Sequence, residues 1–168
     1  MAASSFEQYL DRLDVARFVD AGTISRHALV GVIQRLDSAV AEIDGHGFEL
    51  TPFEPQPRLR EAVGLSNGIQ LWVKDETGNV PGSHKARHLF GVAIRESVVP
   101  SGDDAWAIAS CGNAALGASV VAAAVDHDLD VFVPTWANDA VVAQMEGLGA
   151  RVVRTDREPG VVGDPAHH

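Results

Sequence analysis

The sequence predicts an α/β protein built from parallel β-α-β units, preceded by a helical extension. Two observations support this class. From residue 69 onward, short apolar runs alternate with longer amphipathic or small-residue segments, and strands alternating with helices of this length form parallel sheets. The composition, with 46% hydrophobic and 21% charged residues, is that of an ordinary globular protein.

Two helical patterns occupy the N-terminal part of the chain. Apolar residues at three- and four-residue steps follow Ser4 and Ser5, which can cap a helix, and predict a helix over residues 5–20. A second pattern begins after Ser25, a predicted N-cap, and ends near Gly45. Both helices are expected to belong to the extension.

A proline-rich segment separates this extension from the α/β part. Residues 51–57 (TPFEPQP) contain three prolines, so they are expected to form an extended or turned loop. We place the domain boundary just before it, with residues 1–48 as the extension and 49–168 as the α/β part. The elements predicted after the loop are strand 69–74, helix 83–98, strand 105–110, helix 113–124, strand 130–134, helix 138–148 and strand 151–155.

The C-terminal residues 158–168 (EPGVVGDPAHH) are rich in turn formers and directly follow a core strand. Three parallel strands make a thin sheet with open edges, whereas parallel sheets are normally covered on both faces. The sequence therefore predicts an incomplete fold, a fragment or one half of a larger unit.

Charge and cysteine content restrict the partners and the compartment. The net charge is −10 with no basic run, which argues against nucleic acid or an anionic membrane and favours a small molecule or a protein. The single cysteine, Cys111, cannot form an internal disulfide. Residues 1–14 lack the pattern of a secretion signal, and the apolar residues 114–125 are too few to span a bilayer. We expect a cytoplasmic protein.

Lys85 is the first candidate for chemistry. Ser83 is a predicted N-cap, which places Lys85 in the first turn of a helix. The positive end of the helix dipole disfavours an ammonium there and favours the neutral amine, the form that attacks an aldehyde. The alternative is a solvated lysine on a helix surface, and spacing alone does not decide between them.

The second candidate is the loop formed by Ser110, Cys111, Gly112 and Asn113, which follows a strand and opens a small-residue helix. Ligands bind at the carboxyl ends of strands in open parallel sheets, and free N–H groups at a helix start suit a carboxylate or phosphate. Gly112 allows close approach of the backbone, and Asn113 can donate its amide. The alternative is a tight turn with a helix cap.

Two other patterns fail on inspection. A P-loop is excluded because Ala118 stands where the phosphate-binding lysine belongs. His84 and His88 have the spacing of a zinc protease motif, but no glutamate base lies between them, so no metal site is predicted. Cys111 has no assignable catalytic partner in the sequence.

Taken in order, these segments resemble the fold-type II pyridoxal-phosphate enzymes, the tryptophan synthase β-like group. The resemblance covers about residues 50 to 155. Its motifs are Thr51-Pro52, Pro57-Arg58-Leu59, LWVKDETGNVPGSHKARH, ASCGNAALGASVVAAA, VFVPTWAN and GLGARVV.

The resemblance implies pyridoxal 5'-phosphate as cofactor and makes residues 49–168 the N-terminal part of the catalytic domain. It implies that Lys85 forms the Schiff base and removes the substrate α-proton, and that Ser83 and Asn113 also contact the cofactor. Residues 110–113 would grip the substrate carboxylate. A small amino acid is the implied substrate, and a homodimer or a complementing C-terminal chain the implied protein partner.

The same motifs occur in serine/threonine dehydratases, threonine synthases and diaminopropionate lyases. The loop SCGN resembles the first two, whereas His84 is more like tryptophan synthase β, whose acidic loop is absent here. We expect an α,β-eliminating ammonia-lyase. The alternatives are a threonine synthase-like or other β-replacement enzyme and a non-catalytic remnant that binds a partner subunit; a nucleotide-binding module lacks its fingerprint.

The chain departs from the family in one respect. Family members carry a glycine-rich loop for the cofactor phosphate in their C-terminal half, and no such glycine run occurs here. We therefore expect the isolated chain to bind cofactor poorly and to be weak or inactive.

Overall fold

The computed structural model describes residues 4–102, 105–156 and 160. The predicted turn-rich segment 158–168 therefore lies almost entirely outside the described residues. In chain order the elements are α1 (Ser5–Gln8), a 3-10 turn (Leu10–Arg12), α2 (Ala16–Asp20), α3 (Arg26–Asp44), β1 (Phe53–Pro55), α4 (Pro57–Ala62), β2 (Trp72–Lys74), α5 (Lys85–Val98), β3 (Ala105–Ala109), α6 (Asn113–Ala124), β4 (Asp128–Pro134), α7 (Asp139–Gly147) and β5 (Arg151–Thr155).

The predicted parallel α/β architecture is confirmed. Strands β3, β4 and β5 form a three-stranded sheet in that order, and both neighbouring pairs are parallel. In register, Ala109 pairs with Phe132, and Phe132 pairs with Val153. All three strands therefore end at the same edge, from which the loops before α6 and α7 emerge.

The proline-rich loop prediction is wrong for part of the segment. Phe53–Pro55 is a strand that pairs antiparallel with Trp72–Lys74, the short remainder of the predicted strand 69–74. A two-stranded ribbon has outer positions that need no ladder hydrogen bond, so a proline is tolerated there. The Phe53 and Trp72 rings add a contact at 5.2 Å between centroids.

The predicted single helix over residues 5–20 is also wrong, since three short helical pieces replace it. Leu13 adopts extended dihedrals (φ −79°, ψ 146°) and breaks the helical path. The bend lets Leu10 and Val15 both bury almost completely, so tertiary packing overrides the local pattern. The second predicted helix is confirmed, because Ser25 Oγ accepts from Ala28 N at 3.1 Å and Gly45 ends α3 with φ +89°.

One apolar cluster joins the N-terminal helices to α5 and α6. Its centre is a triad of phenylalanine rings, in which Phe6 and Phe48 each lie 4.6 Å from Phe90 between centroids. A second cluster fills the space between α6, α7 and the sheet. The first cluster contains residues of α5, of α6 and of the extension, so α5 packs both on α6 and on the N-terminal helices.

Candidate functional site

Lys85 is the first residue of α5, and its side chain is exposed. The predicted helix start at Ser83 is therefore two residues early, and His84 occupies the N-cap position without a side-chain capping bond. Ser83 still serves the helix start, because its buried hydroxyl accepts from Lys85 N at 3.3 Å. The prediction that Ser83 also touches a cofactor stays a prediction.

The turn before Lys85 is held by Asn79, which sequence reasoning missed. Asn79 is 1% exposed, and its Nδ2 donates to the Ser83 carbonyl oxygen at 3.0 Å. Gly82 has φ +82°, a conformation that residues with a Cβ rarely adopt. Together the buried amide of Asn79 and the conformation of Gly82 hold the backbone turn that precedes Lys85.

The loop at residues 110–113 leaves the end of β3. Ser110 N donates to the Phe132 carbonyl oxygen at 3.1 Å, which extends the ladder with β4, and Ser110 Oγ accepts from Gly112 N at 3.4 Å. Cys111 is partly buried and packs against the cluster beside the sheet. The side chain of Asn113, the first residue of α6, is exposed.

The N-terminus of α6 is free to bind an anion. It has no side-chain cap, and across residues 4–102 and 105–156 the amides of Asn113, Ala114 and Ala115 meet no hydrogen-bond partner. Such amides at the positive end of the helix dipole attract carboxylates and phosphates.

Close packing of α5 on α6 brings the two candidate segments together. A Cβ placed on Gly117 would lie 3.0 Å from Ala86 N and 3.1 Å from Ala86 Cα, closer than most Cβ contacts in proteins, so glycine at this position allows the two helices to pack closely. Ala86 follows Lys85 directly, and Gly117 lies about 6 Å along the helix from Asn113. The amine and the uncapped amides therefore lie in the same region of the molecule.

A groove of about 620 Å³ runs beside this contact. Its lining includes His84, which precedes α5, Lys85 and His88 of α5, Ala114 of α6 and residues of β3, whose outer edge pairs with no other strand among the described residues. The four loop residues 110–113 lie outside the lining. Within the described ranges neither the Lys85 ammonium nor the Asn113 amide is engaged in a hydrogen bond, so both are available to a ligand.

Glu76 is the carboxylate of the loop after β2. Its Oε1 accepts from the Thr51 hydroxyl at 2.6 Å, and its Oε2 accepts from Arg87 Nε at 3.0 Å. Partial burial raises the pKa of Glu76, but hydrogen bonds from Thr51 and Arg87 together outweigh burial and hold the pKa below its ordinary value. Glu76 therefore stabilises the fold above its ordinary pKa, and this contribution is lost as the pH falls through the lowered pKa.

Two further observations concern a membrane and a metal ion as possible binding partners. Among the described residues no helix is long and apolar enough to cross a membrane. In the same residues no group of three or more histidine, cysteine or carboxylate side chains is arranged to hold a metal ion, and His84 and His88 stand without a third ligand.

Comparison with known proteins gives one family. The model described as "Pyridoxal-phosphate dependent enzyme" matches residues 46–166. No protein of curated function matches the sequence significantly.

Solved structures share the fold. A pyridoxal 5'-phosphate-dependent aspartate racemase matches with 26% identity and a TM-score of 0.57, over 76% of this chain and 38% of that chain. An O-acetylserine dependent cystathionine beta-synthase from Helicobacter pylori matches with 20% identity and a TM-score of 0.57, over 74% and 40%. The processed form of threonine deaminase isoform 2 from Solanum lycopersicum matches with 18% identity and a TM-score of 0.53, over 80% and 35%. The chain thus spans at most two fifths of these proteins.

Proposed function

The chain belongs to the pyridoxal-phosphate dependent enzyme family, and from that premise we propose that it carries the lysine and substrate-carboxylate half of an amino-acid lyase site. The observation that carries the proposal is the contact between Ala86 and Gly117, which joins the start of Lys85's helix to the start of α6. The chain spans 35 to 40% of the three structural relatives named above, so the proposal concerns what these residues do within the enzyme.

The residues present fit the reactive end of the family's cofactor. Lys85 offers an exposed, unengaged primary amine for an aldehyde, and the groove beside it has room for a small aromatic ring. Asn113 offers an exposed amide for a ring oxygen. We propose that Ser83 contributes by fixing Lys85 N, and that the cofactor phosphate is bound weakly by this chain alone because no glycine-rich run is present in its sequence.

When bound, the cofactor supplies an aldehyde and a ring that withdraws electrons from the substrate α-carbon. The chain's own groups do the rest. The amides at the start of α6, with Ser110, Cys111 and Gly112 before them, bind the α-carboxylate and orient the amino acid. The substrate amine would replace Lys85 at the aldehyde, and the Lys85 amine that is freed would take the α-proton on Nζ.

We propose that the reaction continues by α,β-elimination. With the α-proton held on Lys85 Nζ, the β-substituent of a small amino acid leaves with its bonding pair, which gives an enamine. The released enamine tautomerises to an imine, and one water hydrolyses the imine to a keto acid and ammonia. Lys85 Nζ can return its proton to the product or to the leaving group.

The test uses the chain with added pyridoxal phosphate and L-serine, L-threonine or O-acetyl-L-serine, with keto acid and ammonia as readouts. We expect a slow but measurable reaction that is lost in Lys85→Ala. The control is Lys74→Arg, which changes the only other lysine and keeps its charge beside Glu76. Equal, non-zero rates in the wild-type chain and Lys85→Ala would contradict the proposal. No keto acid from any substrate is the result expected if the chain alone is inactive, and borohydride trapping of the imine at Lys85 then decides.

Two other outcomes have a distinct signature. Added thiol that is incorporated at the β-carbon would indicate replacement, as in a threonine synthase-like or other β-replacement enzyme. Formation of the D-enantiomer, with exchange of the α-proton for deuterium and without loss of the β-substituent, would indicate racemisation, the activity named for the structure with 26% identity.

We further propose a reducing compartment such as the cytoplasm and assembly with a second copy or a complementing C-terminal chain. The lone Cys111 supports the first proposal, and the outer edge of β3, which is unpaired within the described part of the chain, supports the second. Analytical ultracentrifugation of the purified chain tests self-association, with a concentration-independent monomer as the contrary result.

A further inference from the structure

Arg87 joins three separate segments to the first turn of α5. Its Nη1 donates to Ser5 Oγ at 3.1 Å, which ties in the N-terminal extension. Its Nη2 donates to the Glu49 carbonyl oxygen at 2.7 Å and contacts Thr51 Oγ1 at 3.5 Å, while Nε donates to Glu76 Oε2 at 3.0 Å. The guanidinium is thus the meeting point of the extension, the loop after α3 and the loop after β2.

These contacts lie on the side of α5 that faces away from the groove. Residues two apart on a helix do not share a face. Arg87 therefore bonds to the extension and to the two loops, while Lys85 lines the groove. Phe90 lies three residues further on and packs against Phe6 and Phe48, the neighbours of the Arg87 partners Ser5 and Glu49. Polar and apolar contacts therefore hold the same face of the first turns.

The start of α5 needs such support. The first four amides of any helix lack intrahelical partners, and α5 has no side-chain cap at His84. Among the described residues, the 3.3 Å bond from Lys85 N to Ser83 Oγ and the Arg87 contacts add polar contacts from outside the helix to the packing of Ala86 on Gly117.

We propose that Arg87 is a positioning residue that holds Lys85 toward the groove and thereby makes the N-terminal extension a working part of the Lys85 site. The inference rests on the proposed function. A planar guanidinium with five donors can bond Ser5, Glu49 and Glu76 at once, whereas an ammonium on a lysine side chain lacks this fork. A lysine at position 87 would therefore keep the positive charge but could not form the same set of hydrogen bonds.

The chain provides a matched control on the same helix. Arg95 also joins α5 to the extension, with Nε 3.9 Å from Asp14 Oδ2, but it lies ten residues from Lys85. At 1.5 Å per residue that is about 15 Å along the helix axis. Arg95→Ala removes a link between the same two parts of the molecule at a distance from the amine.

The experiment compares the wild-type chain with Arg87→Ala, Arg87→Lys, Ser5→Ala and Arg95→Ala. Pyridoxal phosphate is titrated without substrate, and the imine at Lys85 is followed by visible absorbance and by borohydride reduction with peptide mapping. Hydrogen exchange of peptides covering 84–90 and 91–98 is measured without cofactor, and urea unfolding reports global stability.

We expect Arg87→Ala to weaken imine formation at Lys85 by about 10-fold to 100-fold, the range for a displaced reactive group. Peptide 84–90 should exchange faster, Ser5→Ala should show a smaller change in the same direction, and Arg87→Lys should recover only part of the loss. Arg95→Ala should leave both readouts at residues 84–90 unchanged. If Arg87→Ala does not fold, Ser5→Ala and Arg87→Lys decide.

Equal effects of the Arg87 and Arg95 variants on imine formation and on exchange of residues 84–90 would overturn the inference. Failure of the proposed function looks different, because the wild-type chain itself would then form no imine at Lys85. In that case the exchange of residues 84–90 alone decides whether Arg87 holds this turn.

Discussion

The contact between α5 and α6 can be tested with a single methyl group. Gly117 lies inside α6, and a Cβ added there would meet Ala86 N at 3.0 Å, Ala86 Cα at 3.1 Å and Ala86 Cβ at 3.3 Å. Backbone atoms cannot rotate away as a flexible side chain can, so we expect Gly117→Ala to shift α5 relative to α6 by a few tenths of an ångström. The matched variant is Gly91→Ala inside α5, where a Cβ would meet nothing within 4 Å.

The two changes share every effect except this contact. Each replaces a glycine in a helix interior, which favours the helix by about 1 kcal/mol through propensity and reduced freedom of the unfolded chain. Gly117→Ala also overpacks the interface, which costs about 1–3 kcal/mol. Gly91→Ala should therefore stabilise by up to about 1 kcal/mol, and Gly117→Ala should be less stable than Gly91→Ala by about 1–3 kcal/mol.

Urea unfolding at neutral pH, followed by circular dichroism, measures this difference directly. Because Ala86 follows Lys85, Gly117→Ala should also weaken imine formation with pyridoxal phosphate, whereas Gly91→Ala should not. Equal stabilisation by both variants would refute the reasoning, since it would mean that α5 and α6 do not pack this closely in solution.

Three further variants test the packing and electrostatics of the extension. Burial raises the pKa of Asp37, so the stability that its protonated form contributes is lost as the pH rises from 3.8 through the raised value. Asp37→Asn keeps an acceptor for Phe48 N and should be more stable than the wild-type chain at pH 7 but not in acid, by urea unfolding at both pH values. Phe90→Ala should cost about 3–5 kcal/mol in the same assay, because the ring is fully buried in the aromatic triad. Ser25→Ala removes the acceptor for Ala28 N and should cost about 1 kcal/mol by thermal unfolding.

The sequence predicts the parallel sheet and the helix at residues 113–124 well, because strong local patterns agree with the packing there. Asn113 begins that helix and Ala124 ends it, as predicted. Local patterns fail where packing decides the outcome. Leu13 breaks a regular helical pattern so that Leu10 and Val15 can bury, and Phe53 joins a strand in a segment whose prolines predict a loop.

Some residues of the candidate site can be predicted from the sequence, and others are found only in the structure. Lys85 and Asn113 are visible in the sequence because motifs surround them, and their chemical roles remain predictions. The roles of Arg87 and Asn79 are not visible in the sequence, because each depends on hydrogen-bond partners that no sequence pattern links to it. Ser5 and Arg87 are 82 residues apart, and only the folded chain brings their side chains to 3.1 Å.

The most direct test of the central claim is to reduce the chain with borohydride in the presence of pyridoxal phosphate and to map the modified peptide. The chain has only two lysines, Lys74 and Lys85, so the result is easily assigned. The account predicts an adduct at Lys85 in clear excess over Lys74, even when binding is weak. Equal modification of the two lysines, or preference for Lys74, would contradict the assignment of Lys85 as the cofactor-binding lysine.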